Sequence, residues 1–263
     1  MDLSLKNKSV VVTGGNRGIG RAIALAFAGE GANVAIVGRD TDALATVKAE
    51  IEAKSVKALA IAADLFTADG CDRAVNETAD AFGGLDVLVN NASTSVSGGL
   101  ETLSDDQLME RLTGKTLAYM RCSRASLPWF RKAGGGRIIC IGGSAARAAG
   151  KASLPSGLGN SSLTNFAKHL SNDVAPENIT VNVVHPPFTK TDRYPARLEA
   201  RAKQLGVSLE EAEATFTADF PIGRIIEPDD IAPMVLFLCS PHAAAVTGQA
   251  IGIDGGSTPG IFY

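Results

Sequence analysis

Two patterns of apolar residues alternate along this chain. Short, almost continuously apolar runs, rich in β-branched residues, occupy residues 10–12, 33–38, 57–63, 85–90, 137–141 and 179–184, with a last one at 248–254. Between them lie longer segments with apolar residues at helical spacing, at 21–29, about 41–54, a stretch ending near 82, 104–132, 155–175 and one opening at Pro228. Asp40 or Thr41, Ser104 and Pro155 are suited to open three of these helices. Strands apolar throughout, alternating with helices, predict a parallel sheet covered on both faces. Ligands of such sheets bind at the carboxyl ends of the strands, where Thr13, Arg39, Asp64 and Asn90 fall. The pattern shows no repeat and no linker, so a single domain over residues 1–263 is expected, with a polar excursion at about 187–220 placed as a substrate lid.

The first strand runs into Thr13-Gly14-Gly15-Asn16-Arg17-Gly18-Ile19-Gly20 and then into a helix. Glycines at this junction let backbone approach a ligand closely, and the helix N-terminus offers unpaired N–H groups and a positive dipole end to a pyrophosphate. Nucleotide binding is the reading this position favours over an ordinary tight turn.

Composition narrows the partners. With 45% hydrophobic residues and a net charge of −3, the chain has no electrostatic reason to bind nucleic acid or an anionic membrane. No apolar run approaches the roughly 18 residues of a membrane span, and the first residues lack the apolar core of a signal peptide. Cys71, Cys122, Cys140 and Cys239 are scattered without metal-like spacing, so no metal is expected and a reducing, cytoplasmic setting is.

The glycine turn resembles the coenzyme turn of the short-chain dehydrogenase/reductase family, and further segments carry the resemblance along the chain. Asp64-Leu65 is similar to the family's adenine-holding pair, and Asn90-Asn91-Ala92 to its N-N-A-G, with Ser93 in place of the glycine. Residues 179–184, Pro221-Ile222-Gly223-Arg224, Val246-Thr247-Gly248-Gln249 and Asp254-Gly255-Gly256 are similar to its later segments. The resemblance implies a Rossmann-type, doubly wound, seven-stranded parallel sheet and a homodimer or homotetramer formed through long helices. It also implies contacts of the coenzyme with Pro186, Thr189 and Thr191, although Pro187 stands where the family has glycine. An acid at the end of the second strand suits NAD and an arginine suits the 2′-phosphate of NADP. Arg39 holds that place and Arg17 faces it, which favours NADP(H), while Asp40 as a ribose ligand would favour NAD(H).

The family's proton relay resembles a serine, a tyrosine about thirteen residues later, a lysine four after that, and an asparagine from the preceding helix. Here Tyr119, Tyr194 and Tyr263 all lack a lysine four positions on. Matching Phe166-Ala167-Lys168-His169-Leu170 puts Ser156 in the tyrosine slot and Asn160 in the lysine slot. Matching Arg137-Ile138-Ile139 puts Gly143 in the serine slot, with Ser144 one residue late and on the other face unless the chain bends. Counting back from Leu127-Pro128 puts Lys115 in the asparagine slot. Lysine and asparagine are thus read as exchanged, with the Lys115 amine handling protons, Asn160 on the coenzyme ribose and Tyr119, one helical turn on, as a source of a phenol. The alternative is a solvated or interfacial Lys115 and a Tyr119 packed between subunits. His185 is either a titrating group or a satisfied structural residue.

Three functions compete on this reading. The first is an NADP(H)-dependent oxidoreductase with a rearranged site, acting on a small carbonyl, alcohol or activated alkene. The others are an inactive nucleotide-binding sensor or partner subunit, and a non-redox hydratase or isomerase.

Overall fold

The structure, a computed structural model, describes residues 1–94 and 96–259. Seven parallel strands form one sheet in the order β3-β2-β1-β4-β5-β6-β7. They are β1 Ser9–Thr13, β2 Asn33–Gly38, β3 Ala58–Ala62, β4 Val87–Asn90, β5 Gly136–Ile141, β6 Ile179–His185 and β7 Ala250–Gly252. The strand order reverses between β1 and β4, and there the ends of the two strands leave room for a ligand.

Strand alternation divides the core. Val10 and Val12 point to the face covered by α1 (Gly18–Gly29), α2 (Thr41–Glu52) and α9 (Pro228–Cys239), and Val11 to the face covered by α3 (Ala68–Phe82), α5 (Ala118–Ala133) and α6 (Leu154–Val174). Both faces are apolar, which is why the strands read as unbroken apolar runs. Asp40 caps α2 by accepting the Ala43 N–H, and Ser104 caps α4 (Asp105–Leu112) in a reciprocal pair with Gln107. Among the described residues no helix is long and apolar enough to cross a membrane.

Two elements differ from expectation. The helix expected over 104–132 is α4 and α5 joined by a π-helical turn, Thr113–Leu117. Gly114 in that turn packs so closely that a Cβ there would lie 2.6 Å from the Phe66 ring and 2.8 Å from Thr94 Cγ2. The strand expected over 248–254 is shorter, because Gly248 has φ +67° and Asp254 turns the chain by accepting the N–H groups of Gly256 and Thr258. The excursion after β6 holds two helices, α7 (Tyr194–Leu205) and α8 (Leu209–Thr217).

Candidate active site

Two adjoining cavities open at the carboxyl edge of the sheet. The first, about 480 Å³, is bounded by the β1–α1 turn and the ends of β2, β3 and β4. The second, about 380 Å³, lies between the π-helical turn, the end of β5, the start of α6 and the segment after β6. Ile19, Asn91, Ser93, Thr94, Thr191, Arg193 and Arg197 border both.

The glycine turn needs its glycines. Gly14 and Gly18 have φ +63° and +53°, and a Cβ on Gly20 would sit 2.2 Å from the Gly14 carbonyl oxygen. Asn91 braces the turn by donating from Nδ2 to the carbonyls of Thr13 and Gly14, at 2.9 and 3.1 Å. Gly14, Asn16, Arg17, Gly18, Ile19, Gly20, Arg39, Asp64, Leu65, Asn91, Ala92 and Thr191 all line this first cavity. Asp40 lies at its rim with its side chain used in the α2 cap, whereas Arg17 and Arg39 have no ion-pair partner among the described residues. The cradle of the turn, the close-packed glycines and the two arginines fit a phosphorylated dinucleotide.

Lys115, Ser144, Ser156, Asn160, Pro186 and Thr189 line the second cavity together. Lys115 comes from the π-helical turn, is 3% exposed, and donates from Nζ to the Gly142 carbonyl at 3.1 Å. Burial, and then the neighbouring Arg111 charge, hold its amine well below the usual lysine range. Asn160 rises from α6 on the far side of the same backbone, where a Cβ on Gly143 would be 2.7 Å from its Nδ2. Its Oδ1 is buried and has no partner among the described residues. Gly143 is therefore the residue that lets Asn160 into the site. Ser144 reaches the cavity because β5 ends at Ile141 and a single 3₁₀ turn, Ser144–Ala146, follows. Its N–H donates to the Pro186 carbonyl.

Asn90 and Tyr119 line neither cavity. Asn90 donates to Ser123 Oγ at 3.2 Å, inside the α5 face. Tyr119 is fully buried; its hydroxyl donates to the Ile141 carbonyl at 3.0 Å, and burial raises its pKa well above the usual phenol value. Its ring instead packs 5.9 Å from Lys115 Nζ. Tyr194 is tied to Glu213 through its hydroxyl, and Tyr263 lies outside the described residues. His185 is buried and its Nδ1 accepts the Gly143 N–H at 3.0 Å. Nε2 therefore carries the proton and faces Thr164 Oγ1 at 3.3 Å, and burial pushes the pKa down to about 4. It is a strut that holds Gly143.

Four residues emerge only from the fold. Arg111, 6% exposed, donates from Nη1 to Ser93 Oγ at 2.6 Å and to the Thr94 carbonyl. Ser93, the departure from N-N-A-G, thus turns out to be a partner of Arg111. Asp192 accepts the Gly18 N–H at 3.1 Å, and Arg193 and Arg197 extend over both cavities from the lid. Among the described residues no cluster of side chains could hold a metal ion.

The family model described as enoyl-(acyl carrier protein) reductase matches residues 14–258. This chain belongs to the short-chain dehydrogenase/reductase family. An NADPH-dependent reductase of Bacillus subtilis, BacG, is 31% identical over 259 residues, covering 98% of this chain and 100% of the relative. The 3-oxoacyl-[acyl-carrier-protein] reductase FabG of Aquifex aeolicus is 31% identical over 261 residues, covering 97% and 99%. Among solved structures, L-sorbose reductase from Gluconobacter frateurii, complexed with NADPH and L-sorbose, superposes with a TM-score of 0.95 at 30% identity, over 99% of this chain and 100% of that one. The expected seven-stranded Rossmann-type sheet is present. The expectation of an oxidoreductase that takes NADP(H) agrees with what these relatives are named.

Proposed function

We propose that this chain is an NADP(H)-dependent oxidoreductase acting on a small carbonyl, alcohol or activated alkene through a rearranged site in which Lys115 handles the proton. The observation that carries the reading is a buried amine and an unpartnered buried amide meeting across Gly142 and Gly143, in a cavity that adjoins the dinucleotide cradle.

Bound NADP(H) supplies hydride to or takes it from a carbon atom. The β1–α1 turn would hold its pyrophosphate, Arg17 and Arg39 the 2′-phosphate, Asp64 and Leu65 the adenine, and Asn160 the ribose next to the nicotinamide. Pro186, Thr189 and Thr191 border the carboxamide. In the reducing direction Lys115, as ammonium, donates a hydrogen bond and then a proton to the substrate oxygen; the neutral amine is afterwards recharged from water. Burial and the Arg111 charge lower the pKa of this amine, which eases release of its proton to the substrate oxygen. Ser144 and Ser156, on the same cavity wall, orient the substrate oxygen.

Leu117 and Leu158 leave apolar side chains 36% and 45% exposed near this wall, a surface suited to self-association as a dimer or tetramer. A second reading, a nucleotide-binding partner subunit without turnover, is favoured by the absence of a phenol from the described cavity lining. Calorimetric titration with NADPH and NADH separately tests the first reading. Micromolar NADPH binding with much weaker NADH supports it, and no binding of either removes it. Lys115→Ala then decides between turnover and storage. NADPH affinity is expected to stay within about threefold while turnover falls at least 100-fold, the usual scale for a proton-transfer group. Unchanged turnover rules Lys115 out as the acid.

A further inference from the structure

We propose that the second cavity takes an anionic substrate, a small carbonyl compound bearing a carboxylate. Arg111, Lys115, Arg193 and Arg197 all line it, and among the described residues no aspartate or glutamate does. That is against the trend of a chain with 28 acidic and 25 basic side chains. Coenzyme phosphates can account for Arg193 and Arg197, which also border the first cavity, but not for Arg111, which does not.

Arg111 is the unusual member. The residue is only 6% exposed, yet its partners among the described residues are the neutral Ser93 hydroxyl and Thr94 carbonyl. Nε is buried without an acceptor, and no described carboxylate forms an ion pair with this residue. A buried charge left so poorly compensated is costly, and a carboxylate in the cavity offsets that cost with charge-assisted hydrogen bonds. Arg197 adds a second cation from the lid, its guanidinium 5.4 Å from the Phe188 ring, which itself stacks on Phe216. The arrangement has a consequence for the acid. Arg111 and burial both disfavour the Lys115 ammonium, and a substrate carboxylate reverses the electrostatic part, so the proton is loaded when substrate arrives.

This assignment rests on the reductase reading for the carbonyl but is tested apart from it. The NADP⁺-loaded protein is titrated calorimetrically with succinate and with its neutral diamide, succinamide. Succinate is expected to bind at least tenfold more tightly, and Arg111→Gln to weaken it at least tenfold, with Arg111→Lys weakening it less. If Arg111→Gln does not fold, Arg197→Gln is titrated with succinate in the coenzyme-free protein, where no coenzyme phosphate engages Arg197: a smaller loss is expected, and no loss overturns the proposal. Equal binding of acid and diamide, or succinate binding unchanged in the arginine variants, overturns the proposal. So does a site that takes inorganic phosphate and not succinate. Failure to bind NADP⁺ overturns the reductase reading alone. The succinate series is then run on the coenzyme-free protein, where loss in Arg111→Gln supports the anion site because Arg111 does not line the coenzyme cleft, and no loss overturns it.

Discussion

His185 shows how one neutral side chain can organise a site without taking part in its chemistry. Its Nδ1 takes the Gly143 N–H and its Nε2–H faces Thr164, whose hydroxyl donates in turn to the Asn160 carbonyl at 2.7 Å. One imidazole thus ties Gly143 to Thr164 and, through that hydroxyl, to the α6 backbone that carries Asn160. The folded chain holds this imidazole neutral down to about pH 4, while the unfolded chain protonates it near 6.5. The unfolded state therefore binds more protons between those values, so stability rises as pH increases from 4 to 6.5 and is flat above. The rise is worth roughly 3.5 kcal/mol at most, at about 1.4 kcal/mol for each pH unit between 4 and 6.5. Urea unfolding at pH 4.5 and 7 should show it in the parent chain and lose most of it in His185→Asn. An equal slope in both proteins would place the titrating group elsewhere.

At the scale of elements, the proposed exchange of lysine and asparagine depends on three pieces of backbone fitting one another. The π-helical turn carries Lys115 into the cavity, the end of β5 supplies the Gly142 carbonyl, and α6 brings Asn160 against Gly143. The extra residue in a π turn is a frequent device at functional sites. Gly143 has an extended backbone that any residue adopts, so its lack of a side chain matters only through the 2.7 Å approach of Asn160 Nδ2. Gly143→Ser is therefore expected to cost about 1–3 kcal/mol by overpacking. Asn160→Ala in the same chain should recover most of that loss, a coupling readable in a double-mutant cycle by thermal or urea unfolding. Simple additivity of the two changes would mean that the residues do not share this space.

At the scale of the whole molecule, the sheet and the lid divide the work. The strand ends carry the dinucleotide cradle, while the segment leading into α7 brings Asp192 to the first cavity and, with α7 itself, Arg193 and Arg197 to both. Arg17 and Arg39 lie at opposite sides of the cradle, on α1's leading turn and after β2, and converge only because those strands are neighbours. The double change Arg17→Ala with Arg39→Ala should raise the Kd for NADPH roughly 10- to 100-fold, at about a tenfold loss for each charge-assisted contact. NADH affinity should stay within about twofold, because it has no 2′-phosphate to lose. An equal loss for both nucleotides, in the same calorimetric titration, would show that the arginines serve the pyrophosphate instead.

Much of this is legible in the sequence. The alternation of apolar strands and helices, the glycine turn and the caps at Asp40 and Ser104 are local properties of the chain. Each follows from residue type and spacing within a few positions, so the parallel sheet and its coenzyme edge could be read directly. The slots of Lys115, Ser144, Ser156 and Asn160 were also readable by counting, and the fold brings all four to one cavity. What counting does not supply is direction. Tyr119 sits one turn from Lys115 in sequence, yet the π turn and the packing of α5 send its hydroxyl into the core to Ile141. Arg111 and Ser93 are 18 residues apart and gain meaning only when α4 meets the loop that follows β4. Burial is likewise a property of the assembled layers: the same lysine that would be solvated on an isolated helix is 3% exposed here. Sequence by itself determined which elements form and where a dinucleotide would lie, because those depend on short-range patterns. Tertiary structure alone decided which side chains face the substrate, because that depends on the packing of residues far apart in the chain.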